Sequence, residues 1–185
     1  GLMIEVSHML SKKNIKNDLT LIGAYTEPYR KELNRLMAQL GMKQNQVRFL
    51  GNCSCDFLFE QLKSKDFFLF PSANRTEGHS NALTEAMALG VIPVACTAGF
   101  NRDVIGNDDL IVPELRAEPY AERIAQIVRS GRMEALREEM IRRVKENFTE
   151  SVVTARIKEE FELLHLYSDA RPHENRCASP DRKAI

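Results

Sequence analysis

Three features of the sequence predict an α/β fold built on a doubly wound parallel sheet. Short apolar runs alternate with longer segments of helical periodicity along the chain. The run Phe67-Phe68-Leu69-Phe70-Pro71 is apolar throughout, the mark of a strand covered on both faces. Glycines punctuate the segments, with Gly23 and Gly51 after strand-like runs and Gly41 after a helical one.

The elements follow in order. Leu2, Met3, Val6, Met9 and Leu10 recur at helical spacing, so the chain begins in a helix. Residues 18–24 read as a short buried strand. Residues 28–40 form a helix with Pro28 near its start and Leu33, Leu36, Met37 and Leu40 on its apolar face. Residues 46–50 are a second strand and 56–63 a short helix. Residues 67–71 are the third strand, 80–89 a helix, 91–95 the fourth strand and 110–112 the fifth. A short helical turn is expected at 101–105, then helices over 119–129, 133–148 and 150–167, with Thr149 as N-cap of the last. One domain is expected over 1–168, and the polar, aperiodic segment 169–185 reads as a disordered tail. Phe57, Phe59, Phe67, Phe68 and Phe70 read as core packing. His8, His165 and His173 read as surface residues.

Composition narrows the function. The 185 residues carry 26 basic and 26 acidic side chains, a net charge of zero that argues against a dedicated nucleic-acid binder. No apolar run approaches the ~20 residues that span a bilayer, and residues 1–10 have no signal-peptide pattern. Cys53, Cys55, Cys96 and Cys177 match no zinc or C-x-x-C spacing, so they read as structural thiols in a reducing cytosol.

The chemistry concentrates in residues 77–95. Glu77 stands in a Gly-containing turn after the third strand, at the strand end where doubly wound sheets bind ligands. Gly78 permits close backbone approach or a positive φ. The N–H groups around His79, Ser80 and Asn81 open a helix and suit an anion. Glu85 lies about a turn inside that helix and leans back toward its start. Either glutamate alone reads as a surface carboxylate, and Ser80 or Asn81 as a simple cap. Together, around a Gly turn behind a buried strand, they read as a phosphate cradle between two hydroxyl acceptors.

The order F-P-S … E-G-x-x-N-x-L-x-E-A-M-A-x-G-x-x-P-V resembles the nucleotide-binding, carboxy-terminal half of retaining GT-B glycosyltransferases of the group 1 type. That half has a Rossmann-like parallel sheet. Val47-Arg48-Phe49-Leu50-Gly51, the strand ending at Gly23, and the segment 99–105 also fit. The resemblance implies transfer of a hexose-type sugar from a nucleotide-diphosphate sugar to an acceptor, with retention, in polysaccharide, glycan or lipopolysaccharide synthesis. Glu77 would orient the donor sugar as the catalytic carboxylate. Gly78, His79, Ser80 and Asn81 would line sugar and diphosphate, and Glu85 would hold the ribose. Gly23, Asn52 and Cys53 would complete the donor site beside the base, with Ser72 near the phosphates. No metal or cofactor is implied, and the donor is a substrate. The location implied is cytoplasmic, with the inner membrane face as one setting. Alternatives are a nucleotide-sugar-binding fragment inactive alone, a GT-B sugar-nucleotide epimerase, and an interaction domain with an unused site.

The chain also departs from the family. The first strand of the half-domain, its Arg/Lys loop and the acceptor-binding amino-terminal domain are not in this sequence. Arg75 or Arg102 could supply part of that charge, although each also reads as a solvated loop residue. The absent strand is central in the 3-2-1-4-5-6 order. The strands at 18–24 and 67–71 are therefore expected either to close together or to recruit a strand from another chain, and the edge or the last helix could form a homo-oligomer.

Overall fold

The computed structural model describes residues 1–72 and 78–169, with 164–169 described as backbone only. The elements are α1 (Leu2–Lys12), β1 (Leu19–Ile22), α2 (Glu27–Gln39), β2 (Val47–Gly51), α3 (Cys55–Lys63), β3 (Phe67–Phe70), α4 (Asn81–Ala88), β4 (Ile92–Cys96), α5 (Asn101–Ile105), β5 (Ile111–Val112), α6 (Ala117–Ser130), α7 (Met133–Asn147) and α8 (Glu150–Asp169). Every expected element is present. Single-turn 3₁₀ helices at Gln44–Gln46 and Asp108–Leu110, which the apolar pattern does not signal, lead into β2 and β5.

All pairing among the described strands is parallel, in two separate pieces: β1 with β2, and β3-β4-β5 with β4 central. The fold is thus the expected Rossmann-like α/β architecture. The expected closure of the strands at 18–24 and 67–71 does not occur, because β1 and β3 do not pair. Among the described residues each is paired on one side only.

β4 is buried at all five residues, whereas β1 and β3 are half-buried at all four. Pro93 is tolerated in β4 because β5 pairs only with Ala95 and Cys96, so one side of Pro93 needs no ladder donor. Helix α1 serves both pieces. Its Ile4 packs with Leu33, Met37 and Val47. Its Val6 and Leu10 pack with Val94, Ala121 and Ile124.

Helix α4 is anchored by Leu83, Ala86 and Met87, all inaccessible to solvent. It ends in a Schellman motif: Val91 N–H donates to Ala86 O, Gly90 N–H to Met87 O, and Gly90 adopts φ 73°. Val91 therefore belongs to the helix stop, and the strand starts one residue later than the apolar run suggests. Arg137 of α7 donates to the Gly90 carbonyl at 3.0 Å.

Residues 1–146 form one unit and a second begins at 147. In the second unit, α8 begins with Val153 N–H donating to Thr149 O, as an N-cap residue would accept. Val153, Ile157 and Phe161 are exposed along α8. Phe57 is also exposed, contrary to its expected place in the core, because it lies in the solvent-facing first turn of α3. The segment 170–185, with the expected tail, lies outside the described residues. No described helix is long and apolar enough to cross a membrane.

Candidate functional site

A cavity of about 750 Å³ runs along the gap between β1 and β3, from residues 15–18 and 64–66 at their amino ends to their carboxyl ends. At this rim it is lined by Gly23, Gly51, Asn52, Cys53, Ala82 and Glu85. Four predicted site residues, Gly23, Asn52, Cys53 and Glu85, therefore share one wall system. The first three come from β1 and β2, and the fourth comes from α4.

Local backbone chemistry shapes the β1–β2 rim. The register shifts between Leu21 and Ile22, a bulge of the kind found at sheet rims beside sites. Gly23 N–H donates to Gly51 O at 2.8 Å. Gly51 sits at φ 65° and Gly23 at φ 133°, conformations that a side chain would strain. The chain thus leaves both strands sharply, and Asn52 and Cys53 turn into the cavity mouth.

Glu85 is exposed, and its carboxylate makes no hydrogen bond or ion pair with any described residue. Both oxygens remain available for hydroxyl donors. At the start of α4, Ser80 is the N-cap, with extended backbone (φ −84°, ψ 109°) and no cap bond from its hydroxyl. Among the described residues no side chain caps the first-turn N–H groups, so the reading of Ser80 as a simple side-chain cap does not hold. Ser80 O instead accepts from Thr84 N–H at 3.2 Å. His79 Nε2 lies 2.7 Å from Thr84 Oγ1, which fixes its imidazole along the helix. Gly78 has no positive φ, contrary to one of its two expected uses, and no atom of the described residues lies within 4 Å of where a Cβ would stand. The open space leaves room for close approach. Asn81 is exposed. Glu77 and Arg75 lie outside the described residues, and Arg102 is paired with Asp108 at 2.9 Å.

Behind the start of α4, buried polar groups tie the strand ends together. The Cys96 thiol donates to Ser72 O. The fully buried Asn101 donates through Nδ2 to Cys96 O at 3.2 Å. The Tyr120 hydroxyl is buried beside Cys96 without a hydrogen bond of ordinary geometry. Burial, and then the Cys96 thiol, push its pKa well above the usual tyrosine value. Ser72 is thereby fixed through its carbonyl. Sequence reasoning gave no role to Asn101, although an Asn five residues past a buried strand end was the available signal.

A second cluster was also missed. Arg30 places its guanidinium 3.1 Å from the Phe49 ring centroid and 5.7 Å from that of Tyr25. Tyr25 and Phe49 meet edge to face at 6.0 Å. A cationic, aromatic group thus stands beside Gly51 at the end of the β1–β2 piece.

Parallel sheet pieces flanked by helices in alternating order define an α/β, Rossmann-like fold of the GT-B carboxy-terminal class. The sequence matches the family described as glycosyl transferases group 1 over residues 2–147, and the chain belongs to that family. No curated protein matches it. Among solved structures it is similar to sucrose-phosphate synthase from Thermosynechococcus elongatus, with TM-score 0.71 and 19% identity over 89% of this chain and 42% of that one. It is similar to Anabaena HepE in complex with UDP, with TM-score 0.72 and 19% identity over 88% and 45%. It is also similar to the carboxy-terminal domain of a group 1 family protein from Francisella tularensis, with TM-score 0.69 and 20% identity over 80% and 78%. The chain spans less than half the length of the first two.

Proposed function

We propose that this chain is the donor-binding part of a glycosyltransferase that moves a sugar from a nucleoside diphosphate to an acceptor hydroxyl. The observation that carries the proposal is Glu85: an exposed carboxylate with no partner among the described residues, lining one cavity with Gly23, Asn52 and Cys53. That spacing suits a nucleoside, with its ribose hydroxyls donating to Glu85 and its base beside the Gly51–Cys53 turn. The complex of Anabaena HepE with UDP supports this choice of ligand class.

The open amino end of α4 would receive the diphosphate. Its aligned peptides offer roughly half a positive charge there. In the reaction the acceptor oxygen bonds to the anomeric carbon while the bond from that carbon to the phosphate oxygen breaks. The diphosphate leaves with the electron pair and takes up the proton of the acceptor hydroxyl, and N–H donors stabilise its growing charge. Glu77 would orient the sugar through its hydroxyls, with His79, held by Thr84, beside it. Ser72 and Asn81 would flank the phosphates. Retention of configuration, a hexose donor, a metal-free reaction and a role in polysaccharide or lipopolysaccharide synthesis belong to the same proposal.

Calorimetry with UDP, GDP and ADP tests it. Saturable binding of at least one is expected, and no heat and no competition from any of the three would remove the site assignment. A second reading is favoured by the chain's coverage of less than half of the first two matched structures. In that reading this piece binds donor but transfers nothing alone, and it would show nucleotide binding without turnover of the sugar nucleotide.

A further inference from the structure

We propose that Tyr25 selects the base of the donor nucleotide by donating its hydroxyl to the exocyclic carbonyl of an oxo base, uracil or guanine, with Arg30 as the residue that positions it. The inference rests on the donor-site reading and deepens it. Tyr25 stands three residues past the end of β1, on the loop that leads into α2. Its hydroxyl is the one atom of the described residues within 4 Å of where a Gly51 side chain would stand, at 4.0 Å. Gly51 opens the turn Gly51–Cys53, which lines the cavity and would lie beside the base. The space over that glycine is therefore bare apart from a phenol O–H at one edge. A flat ring resting there meets backbone on its face and Tyr25 at its rim.

The ring that carries this hydroxyl is held on two sides. It meets Phe49 of β2 edge to face, with centroids 6.0 Å apart and planes at 77°. The Arg30 guanidinium, in the first turn of α2, lies 3.1 Å from the Phe49 centroid and 5.7 Å from that of Tyr25. Arg30 Nη1 is buried without a hydrogen-bond partner. A nitrogen left so is unfavourable by itself, and the ring faces are what hold Arg30 in place. The three side chains come from the β1 loop, from β2 and from α2, so the cluster fixes Tyr25 relative to the turn it overhangs.

The cation also decides the direction of the hydrogen bond. A guanidinium beside an aromatic ring draws on its electron density, which makes the phenol a better donor and a poorer acceptor. A donor at the rim matches the O4 of uracil or the O6 of guanine. Cytosine and adenine present an amino group at the same place, which offers only N–H. One residue thus separates oxo from amino bases, and ring size separates uracil from guanine.

Calorimetry on the full chain with two matched pairs, UDP with CDP and GDP with ADP, tests the proposal. In the pair that contains the tightest ligand, the oxo nucleotide should bind at least threefold better than its amino partner. That pair also tells uracil from guanine. Tyr25→Phe removes one oxygen and leaves the ring on Phe49, so the melting temperature should not change. It should weaken the oxo nucleotide about three- to tenfold, the size of one neutral hydrogen bond, and leave the amino nucleotide within twofold. Arg30→Met should lower the same ratio, and Arg30→Lys, which keeps the cation, should restore part of it. A purely structural Arg30 would shift both members of a pair alike. Binding with a ratio that Tyr25→Phe changes by less than threefold overturns this inference and leaves the donor site standing. So does a wild-type preference for CDP or ADP, or an equal loss for both members of a pair. Absence of binding by all four nucleotides overturns both readings.

Discussion

Replacing Glu85 with alanine separates a donor site from a surface carboxylate. The side chain is exposed and has no partner among the described residues, so its loss removes no folded-state contact. Stability should stay within about 0.5 kcal/mol, the usual range for such surface changes. Binding should respond differently. A carboxylate accepting from hydroxyl donors contributes about 1.5–3 kcal/mol per charge-assisted bond. Glu85 is exposed to water before binding, and water can enter after truncation, so the net loss for the pair of ribose hydroxyls is set at about 1.5–3 kcal/mol in total. At 1.4 kcal/mol per tenfold, Kd for the best-bound nucleotide rises about 10- to 150-fold. Calorimetry gives the affinity and a thermal melt checks the fold. An unchanged Kd in a protein with an unchanged melting temperature would refute the ribose role. A fall in both would mean that Glu85 acts through the fold.

Other outcomes follow from the same structure. Gly90→Ala forces a Cβ into a φ 73° residue and brings it to 3.2 Å from Ile141 Cδ1, so denaturant melts should show a loss of about 1–2 kcal/mol or more. Leu83→Ala empties a fully buried position in α4 and should cost about 2–5 kcal/mol by the same measurement, far more than Glu85→Ala. Tyr120 has a folded-state pKa above its ordinary 10.0, so its stabilising effect is intact below pH 10 and is lost as pH rises past it. Melts taken across that range should fall steadily, and Tyr120→Phe should flatten that part of the decline.

The elements were legible because their signals are local. The apolar run at 67–71, Pro28 at a helix start and Gly41 after a helix each act within a few residues. The place of Glu85 inside α4 was legible for the same reason, since the helix that opens at residue 81 fixes its depth. The rest depended on partners distant in sequence. The Arg30–Phe49–Tyr25 cluster needs β1 and β2 in register and α2 docked beside them, and no local pattern encodes that. Asn101 looked like the start of a minor turn, and only the fold brings its side chain to the Cys96 carbonyl. Phe57 was placed in the core on residue type, but three aromatic and aliphatic neighbours on one short helix cannot all face inward.

The candidate site is split between two sheet pieces that share no backbone pairing, and this makes α1 a positioning element. Gly23, Asn52 and Cys53 belong to the β1–β2 piece, and Glu85 is fixed to the β3–β5 piece through α4. The Asp18–Lys65 pair also spans the two, but Asp18 is largely exposed, and such pairs contribute at most about 1 kcal/mol. Burial on α1 is the stronger link, with Ile4 at 1% exposure in one core and Val6 at 0% in the other. Ile4→Ala should therefore cost about 2–5 kcal/mol and also weaken nucleotide binding, although Ile4 lies outside the rim that would hold the nucleotide. Leu83→Ala, of similar cost, acts within one piece and should weaken binding less at a temperature where both variants remain folded. Equal affinities in the two variants would mean that the pieces hold their relation without α1.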